Sequence, residues 1–146
     1  MASGWIDISI PIRNGMVCWP GDPSVSIERL REIKGGYHAN VSSMVMGSHT
    51  GTHMDGPVHF LPKAKGVDSV SFPAIIGRAR VIEIWDPKVI RPEELRSHRI
   101  RRGERVLLKT RNSGRCWRTP SFIKDFVALS AEAAHFLAER RVQTLG

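Results

Sequence analysis

The side chains that could do chemistry are concentrated in one short segment in the middle of the chain. The segment runs from His49 to His59 and includes His53 and Asp55, so it holds three of the six histidines of the protein. Neutral imidazole nitrogens and carboxylate oxygens are the usual ligands of zinc and other borderline divalent metals. Four such side chains at this spacing favour a divalent-metal site over isolated surface or core histidines.

The backbone of this segment is predicted to form a loop or a short turn. In the helical motif of zinc proteases a glutamate directly follows the first histidine, whereas Thr50 occupies that position here. Gly51 and Pro57 also disfavour a long regular helix. We therefore expect a rigid loop that directs His49, His53 and Asp55 inward together.

The elements that must position this loop are mostly strands. Alternating isoleucines predict a half-buried strand over residues 6–10, which Pro11 ends. Further β-branched or apolar runs predict strands at 41–46, 79–85 and 106–110. A helix is expected after the N-cap Ser130, with its apolar face made by Ala133, Phe136 and Leu137. The pattern indicates one α/β domain over residues 1–146, with a mixed sheet and few helices.

The composition limits the class of protein. The chain has 146 residues, 41% of them hydrophobic, and its 22 Lys and Arg against 14 Asp and Glu give a formal net charge of +8. Six arginines fall between Arg91 and Arg105, but aromatic interleaving and nucleic-acid-binding motifs are missing there, so we expect no nucleic-acid partner. The sequence also shows neither a membrane-length apolar run nor a signal-peptide pattern, which predicts a cytoplasmic protein.

The two cysteines, Cys18 and Cys116, are far apart in sequence. Two widely separated cysteines fit reduced cytosolic thiols better than a disulfide framework, although a single disulfide bond between them is also compatible with the sequence.

The segment from His49 to His59 resembles the signature of the cyclase-type metal-dependent hydrolases, which include bacterial kynurenine formamidases (arylformamidases) and isatin hydrolases. Four other segments agree with the family in order, at residues 19–22, 36–42, 108–113 and 129–134. The resemblance implies a swivelling β/β/α fold and a divalent-metal centre, zinc before manganese, that hydrolyses an amide. It also implies a homodimer acting on a small aryl amide.

The resemblance carries roles to individual residues of this chain. His49, His53 and Asp55 match the metal ligands of the family, His59 matches its catalytic acid/base, and Trp19 matches an aromatic residue of the substrate pocket. These roles agree with the physical chemistry, because a divalent metal lowers the pKa of bound water and an imidazole can move the proton to the leaving amine. An indole offers a flat face for an aryl ring. Without the resemblance, Trp19 is equally well explained as a core residue.

The resemblance leads to hydrolysis of N-formylkynurenine to kynurenine and formate, a step of tryptophan catabolism, as the expected activity. Ring opening of isatin or of another cyclic amide is the alternative within the family. Members of this kind continue past the position of Gly146 with further metal ligands, so the chain resembles a family member that is short at its C-terminus. A non-catalytic protein that acts as a binding or oligomerisation partner is therefore a second alternative.

A third alternative is a non-haem iron oxygenase. The His53-Met54-Asp55 tripeptide is also the first half of a facial triad, for which His98 or His135 would supply the third ligand. This reading leaves His49 and His59 unexplained, and the long irregular stretches of the chain do not suit a jelly roll. We expect His98 and His135 to be surface residues.

Overall fold

A computed structural model describes residues 4–146, and these residues form two compact units. The first three residues, part of the N-terminus that lacks a signal-peptide pattern, lie outside the described residues. The first unit comprises the chain up to Asp55 together with Trp117–Phe122, and the second comprises Gly56–Cys116 and Ile123–Gly146.

The strands and helices are short. The strands are β1 (Ser26–Arg31), β2 (Val41–Val45), β3 (Ala79–Glu83), β4 (Val89–Ile90), β5 (Arg105–Lys109), β6 (Ala128–Leu129) and β7 (Thr144–Leu145). The α-helices are α1 (Phe72–Ile75), α2 (Pro92–Arg96), α3 (Asn112–Arg115) and α4 (Ala131–Glu139), and there are 3-10 helices at Ile33–Gly35, Pro57–His59 and Val67–Ser69. Within the described residues, no helix is long and apolar enough to cross a membrane.

The first unit is built on an antiparallel ribbon of β1 and β2. Its register pairs Ser26 with Val45 and Arg31 with Val41, with an irregularity between Arg29 and Arg31. The prediction of a strand at 41–46 is confirmed to within one residue, whereas the sequence analysis did not anticipate β1. The side chain of Asn14 holds the start of the ribbon, because its amide donates to the Ile27 carbonyl oxygen at 3.0 Å and its oxygen accepts from the Ile27 N–H.

The prediction of a strand over residues 6–10 is wrong. These residues are irregular, and the side chains of Ile6 and Ile8 are exposed rather than half-buried. Asp7 Oδ1 accepts from the N–H of Ser9 at 2.9 Å, a local turn that competes with strand pairing. Alternation describes which face a strand would bury, but it does not supply the neighbouring strand that pairs with the backbone.

The second unit holds parallel sheets. The β3, β5 and β7 strands form one sheet in the order β3-β5-β7, and β4 pairs with β6 in another. The predictions of strands at 79–85 and 106–110 are confirmed as β3 and β5. The apolar core of this unit consists of Ile82, Ile84, Ile90, Leu95, Ile100, Val106, Val127, Ala133, Phe136 and Leu137. With parallel and antiparallel pairing and few helices, the predicted α/β class is confirmed.

The helix predicted after Ser130 is α4. Ser130 Oγ accepts from the N–H of Ala133 at 3.1 Å, which satisfies one of the free donors at the helix start. Ala133, Phe136 and Leu137 are buried as expected and anchor the helix in the core of the second unit. The helix ends at Glu139, and the guanidinium of Arg140 stacks over the Phe136 ring at 4.7 Å.

Candidate metal centre

The segment that carries the histidines is a loop, as predicted. After β2 ends at Val45, the chain makes a turn in which the N–H of Thr50 donates to the Gly47 carbonyl at 3.2 Å. Thr50 is only 4% exposed, so this turn is anchored in the first unit. The hydroxyl of Thr52 accepts from the N–H of Ile10 at 3.0 Å, which ties the loop to the N-terminal segment. These contacts give the loop a defined shape without a helix.

The loop brings three of the predicted site residues together. Oδ1 of Asp55 lies 2.7 Å from Nδ1 of His49 and 3.6 Å from Nε2 of His53. The two imidazole rings are edge to face, with centroids 5.2 Å apart. All three side chains are about one-third exposed. One carboxylate oxygen and two imidazole nitrogens therefore converge at a place that water and a small substrate can reach.

The second ring nitrogen of His53 has a backbone partner. Nδ1 of His53 lies 3.0 Å from the carbonyl oxygen of Gly51. A carbonyl oxygen only accepts, so this contact is a hydrogen bond when Nδ1 carries the proton, and in a neutral ring that leaves the lone pair on Nε2. Nε2 is also the ring nitrogen that lies 3.6 Å from Oδ1 of Asp55. Two electron-rich atoms in this position favour a cation between them.

This donor set fits a divalent metal. Imidazole and carboxylate ligands of zinc lie at about 2.0–2.2 Å from the ion, which places two ligands of a tetrahedral site about 3.4 Å apart. The separation of His53 Nε2 and Asp55 Oδ1 is close to that value. The separation of His49 Nδ1 and Asp55 Oδ1 is that of a hydrogen bond, so this pair can hold a proton in the metal-free protein. The residues present are therefore suited to hold a metal.

Trp19 also belongs to the first unit and is not a core residue. It is 57% exposed, which argues against the alternative of a buried tryptophan. The backbone forms a turn here, because the N–H of Asp22 donates to the Trp19 carbonyl at 3.0 Å. The ring of Phe122 contacts the indole edge to face, with centroids 5.0 Å apart. This contact orients the indole and leaves much of it accessible.

His59 lies in the second unit, where it ends the 3-10 helix Pro57–His59. The proline at the helix start and the hydrogen bond from the Phe60 N–H to the Pro57 carbonyl define this single turn. The His59 ring contacts the Phe60 ring edge to face at 4.2 Å. The side chain of His59 is exposed to solvent.

The two other histidines considered as ligands lie in the second unit and play no part in the cluster of His49, His53 and Asp55. His98 follows α2 and its carbonyl oxygen accepts from the guanidinium of Arg80 at 2.9 Å. His135 lies on the exposed face of α4, as expected of a surface residue.

One contributor to the site, the carbonyl of Gly51, is not predicted by the residue types of the sequence. Every residue has a backbone carbonyl, so residue types do not mark which carbonyl contributes to a site. The only signal in the sequence is a glycine two residues before a candidate ligand. Gly51 adopts a φ of +67°, a left-handed conformation that favours glycine.

Comparison with known proteins places this chain in a family. The model of the Cyclase family, described as "Putative cyclase", matches residues 6–146. The chain belongs to the cyclase family. A relative from Bacillus cereus strain ATCC 14579, named kynurenine formamidase, is 35% identical over 144 residues, which cover 99% of this chain and 68% of that protein. The resemblance read from the segment at His49–His59 is thereby confirmed.

Two solved structures share the fold of this cyclase-family chain. A potential metal-dependent hydrolase with cyclase activity superposes with a TM-score of 0.78 at 24% identity, over 97% of this chain and 65% of that chain. Isatin hydrolase A from Ralstonia solanacearum gives a TM-score of 0.78 at 22% identity, over 97% and 65% of the two chains. The chain thus spans about two thirds of the length of these proteins, and the expected cyclase-like fold is confirmed.

Proposed function

We propose that this cyclase-family chain is a divalent-metal-dependent arylformamidase, which hydrolyses N-formylkynurenine to kynurenine and formate. The observation that carries the proposal is the convergence of His49 Nδ1 and His53 Nε2 on Oδ1 of Asp55. The 35% identity to a protein named kynurenine formamidase directs the choice of substrate. The substrate class is therefore a small aryl amide, with no nucleic acid or membrane partner.

The three proposed ligands would together bind the ion and leave it accessible to water and substrate. His49, His53 and Asp55 would hold a divalent ion, which would supply Lewis acidity and activate water there. Asp55 contributes the negative charge that offsets the charge of the ion. The partial exposure of all three side chains leaves one side of the site open to water and to the formyl group. A catalytic metal site needs such an open position.

His59 is the proposed acid/base. In the reaction the C–N bond of the formamide breaks, the oxygen of water becomes part of formate, and a proton of that water ends on the aryl amine. An imidazole titrates near neutral pH, so it can accept the proton from water and then donate it to the amine nitrogen. His59 follows Asp55 by four residues and is not needed in the three-ligand set.

Trp19 is the proposed platform for the aryl ring. Its edge-to-face contact with Phe122 leaves the indole 57% exposed, so its face is available for stacking. Offset stacking on an indole adds about 0.5–1.5 kcal/mol to the burial of an aromatic ring. A phenyl amide therefore suits this residue better than an aliphatic amide.

We further propose zinc as the metal, a homodimer as the assembly and the cytoplasm as the location. Two imidazoles and one carboxylate are a ligand set that suits zinc, with manganese as the second choice. The homodimer follows from the resemblance to cyclase-type hydrolases, and sedimentation velocity of the purified chain tests it.

The activity is tested with metal-stripped protein reloaded with zinc or with manganese. Release of kynurenine from N-formylkynurenine is followed by absorbance, and bound metal is measured by mass spectrometry. We expect turnover that depends on added metal. His53→Ala and Asp55→Ala should abolish both binding and turnover, whereas His135→Ala, a histidine on the exposed face of α4, should change neither.

The possible results separate the proposals. If His53→Ala and Asp55→Ala keep the metal content of the parent chain, the proposed site is wrong. If the parent chain binds metal but does not hydrolyse N-formylkynurenine, the proposed substrate is wrong. Isatin assayed in the same way then tests ring opening, and metal binding without turnover of either compound supports a non-catalytic member of the family.

A further inference from the structure

We propose that the backbone carbonyl of Gly51 is a positioning group of the metal centre, which holds the proton of His53 on Nδ1 and so selects Nε2 as the metal-binding nitrogen. This inference rests on the proposed metal centre and deepens it. It assigns a role to a backbone atom rather than to a further side chain.

The contact between Nδ1 of His53 and the carbonyl of Gly51 favours one tautomer of the ring. Nδ1 lies 3.0 Å from the Gly51 carbonyl oxygen, while Nε2 faces Asp55 at 3.6 Å. In a neutral imidazole one nitrogen carries the proton and the other carries the lone pair. Because the carbonyl can only accept, it stabilises the tautomer with Nδ1 protonated. Metal-binding histidines usually donate their second N–H to such an outer partner, which fixes the tautomer and the ring orientation.

The backbone conformation at Gly51 directs this carbonyl towards His53. The φ of +67° lies in the left-handed region, where a residue with a Cβ is strained. The space around the residue is also filled, since an added Cβ would lie 2.6 Å from Cδ1 of Ile12 and 3.6 Å from Cε of Met16. Glycine therefore lets the chain turn sharply against these side chains and direct its carbonyl back to His53.

The N-terminal segment contacts the turn at Gly51 and so supports it. Met16 is buried, and its methyl group lies near Gly51. On the other side, the N–H of Ile10 donates to the Thr52 hydroxyl at 3.0 Å. Gly51 and Thr52 are thus held by contacts within the first unit, so the Gly51 carbonyl is positioned before a metal binds.

The first test measures zinc affinity by titration against a competing chelator. Gly51→Ala should weaken zinc binding about 10- to 100-fold, the usual effect of losing an outer partner of a metal ligand. Gly15→Ala is the matched control, because Gly15 has nearly the same φ of +70° but open space around it. We expect this control to bind zinc like the parent chain. Ile12→Val removes the methyl group closest to the added Cβ, so it should restore part of the affinity lost in Gly51→Ala.

The second test reads the tautomer directly and uses the metal-free parent chain, so it is independent of how Gly51→Ala folds. Long-range proton–nitrogen NMR on ¹⁵N-histidine-labelled protein, at a pH well above the ordinary histidine pKa, distinguishes the two neutral forms. The histidine signal that is missing from the spectrum of His53→Ala is assigned to His53. We expect His53 to be protonated on Nδ1, and a ring protonated on Nε2 would overturn the inference.

The results also distinguish this inference from the proposed function. If His53→Ala keeps the zinc affinity of the parent chain, the metal centre itself is wrong. If His53→Ala loses zinc while Gly51→Ala binds it as tightly as Gly15→Ala, the metal centre stands and the role of the Gly51 carbonyl is refuted.

Discussion

The side chain of Asn112 hydrogen-bonds the backbone of Val127 in both directions. Nδ2 donates to the Val127 carbonyl oxygen at 2.8 Å, and Oδ1 accepts from the Val127 N–H at 2.8 Å. Val127 is only 5% exposed, so its backbone groups need partners inside the protein. The amide of Asn112 takes the place of a neighbouring strand and holds the chain as it enters β6.

Asn112→Ala should therefore destabilise the second unit. The variant leaves the buried N–H and carbonyl of Val127 without these partners, so the free energy of unfolding should fall by about 2 kcal/mol, measured by urea denaturation. Asn40→Ala is the control, because Asn40 accepts a single hydrogen bond from the N–H of Ile33 at an exposed position. An equal loss in both variants would contradict the role given to Asn112.

Leu95 should be among the most costly positions for truncation in the core of the second unit. Its side chain is 0% exposed and lies on α2, which packs against α4. Leu95→Ala removes buried methyl groups and leaves a cavity, so the free energy of unfolding should fall by about 2–5 kcal/mol. Leu30→Ala, at a leucine that is 53% exposed, should change it by less than about 0.5 kcal/mol. Similar stability of the two variants would show that Leu95 is not a core residue.

The stability of the protein should decrease at acidic pH. Hydrogen bonds from the N–H groups of Lys88 and Val89 hold the pKa of Asp86 below its usual value, and the guanidinium of Arg115 does the same for the pKa of Asp125. The unfolded chain therefore binds more protons, so stability rises with pH across this range. The contribution of these two carboxylates should be complete above about pH 5 and should be lost as the pH falls through their lowered folded-state pKa values.

Urea denaturation at a series of pH values measures this dependence. Asp86→Asn, which still accepts hydrogen bonds but has no carboxylate to protonate, should make the decline below about pH 5 shallower. A variant that loses stability as steeply as the parent chain would rule out a contribution from Asp86.

His59→Ala tests the proposed acid/base. The variant should keep its zinc and lose about 10²- to 10⁴-fold in turnover of N-formylkynurenine, the usual contribution of general acid–base catalysis. His135→Ala again serves as the control for the loss of an imidazole. If His59→Ala loses its zinc together with its activity, His59 is a ligand rather than the acid/base.

The sequence by itself determined the features that depend on a few neighbouring residues. The loop at His49–His59 and the start of α4 at Ser130 both appear where the residue types predict them. At the start of α4 and in the turn from Gly47 to Thr50, the decisive hydrogen bonds lie within about four residues, so a short stretch of sequence is enough to predict them.

Only the tertiary structure decided which strands pair with each other and how the ligands are held. Residues 6–10 have the alternation of a strand but pair with no strand among residues 4–146, whereas Ser26–Arg31 becomes β1 because Val41–Val45 pairs with it. The convergence of His49 and His53 on Asp55 likewise depends on a loop that the N-terminal segment supports. Strand pairing and side-chain convergence need partners distant in sequence, and the pattern of a single segment does not contain the position of its partner.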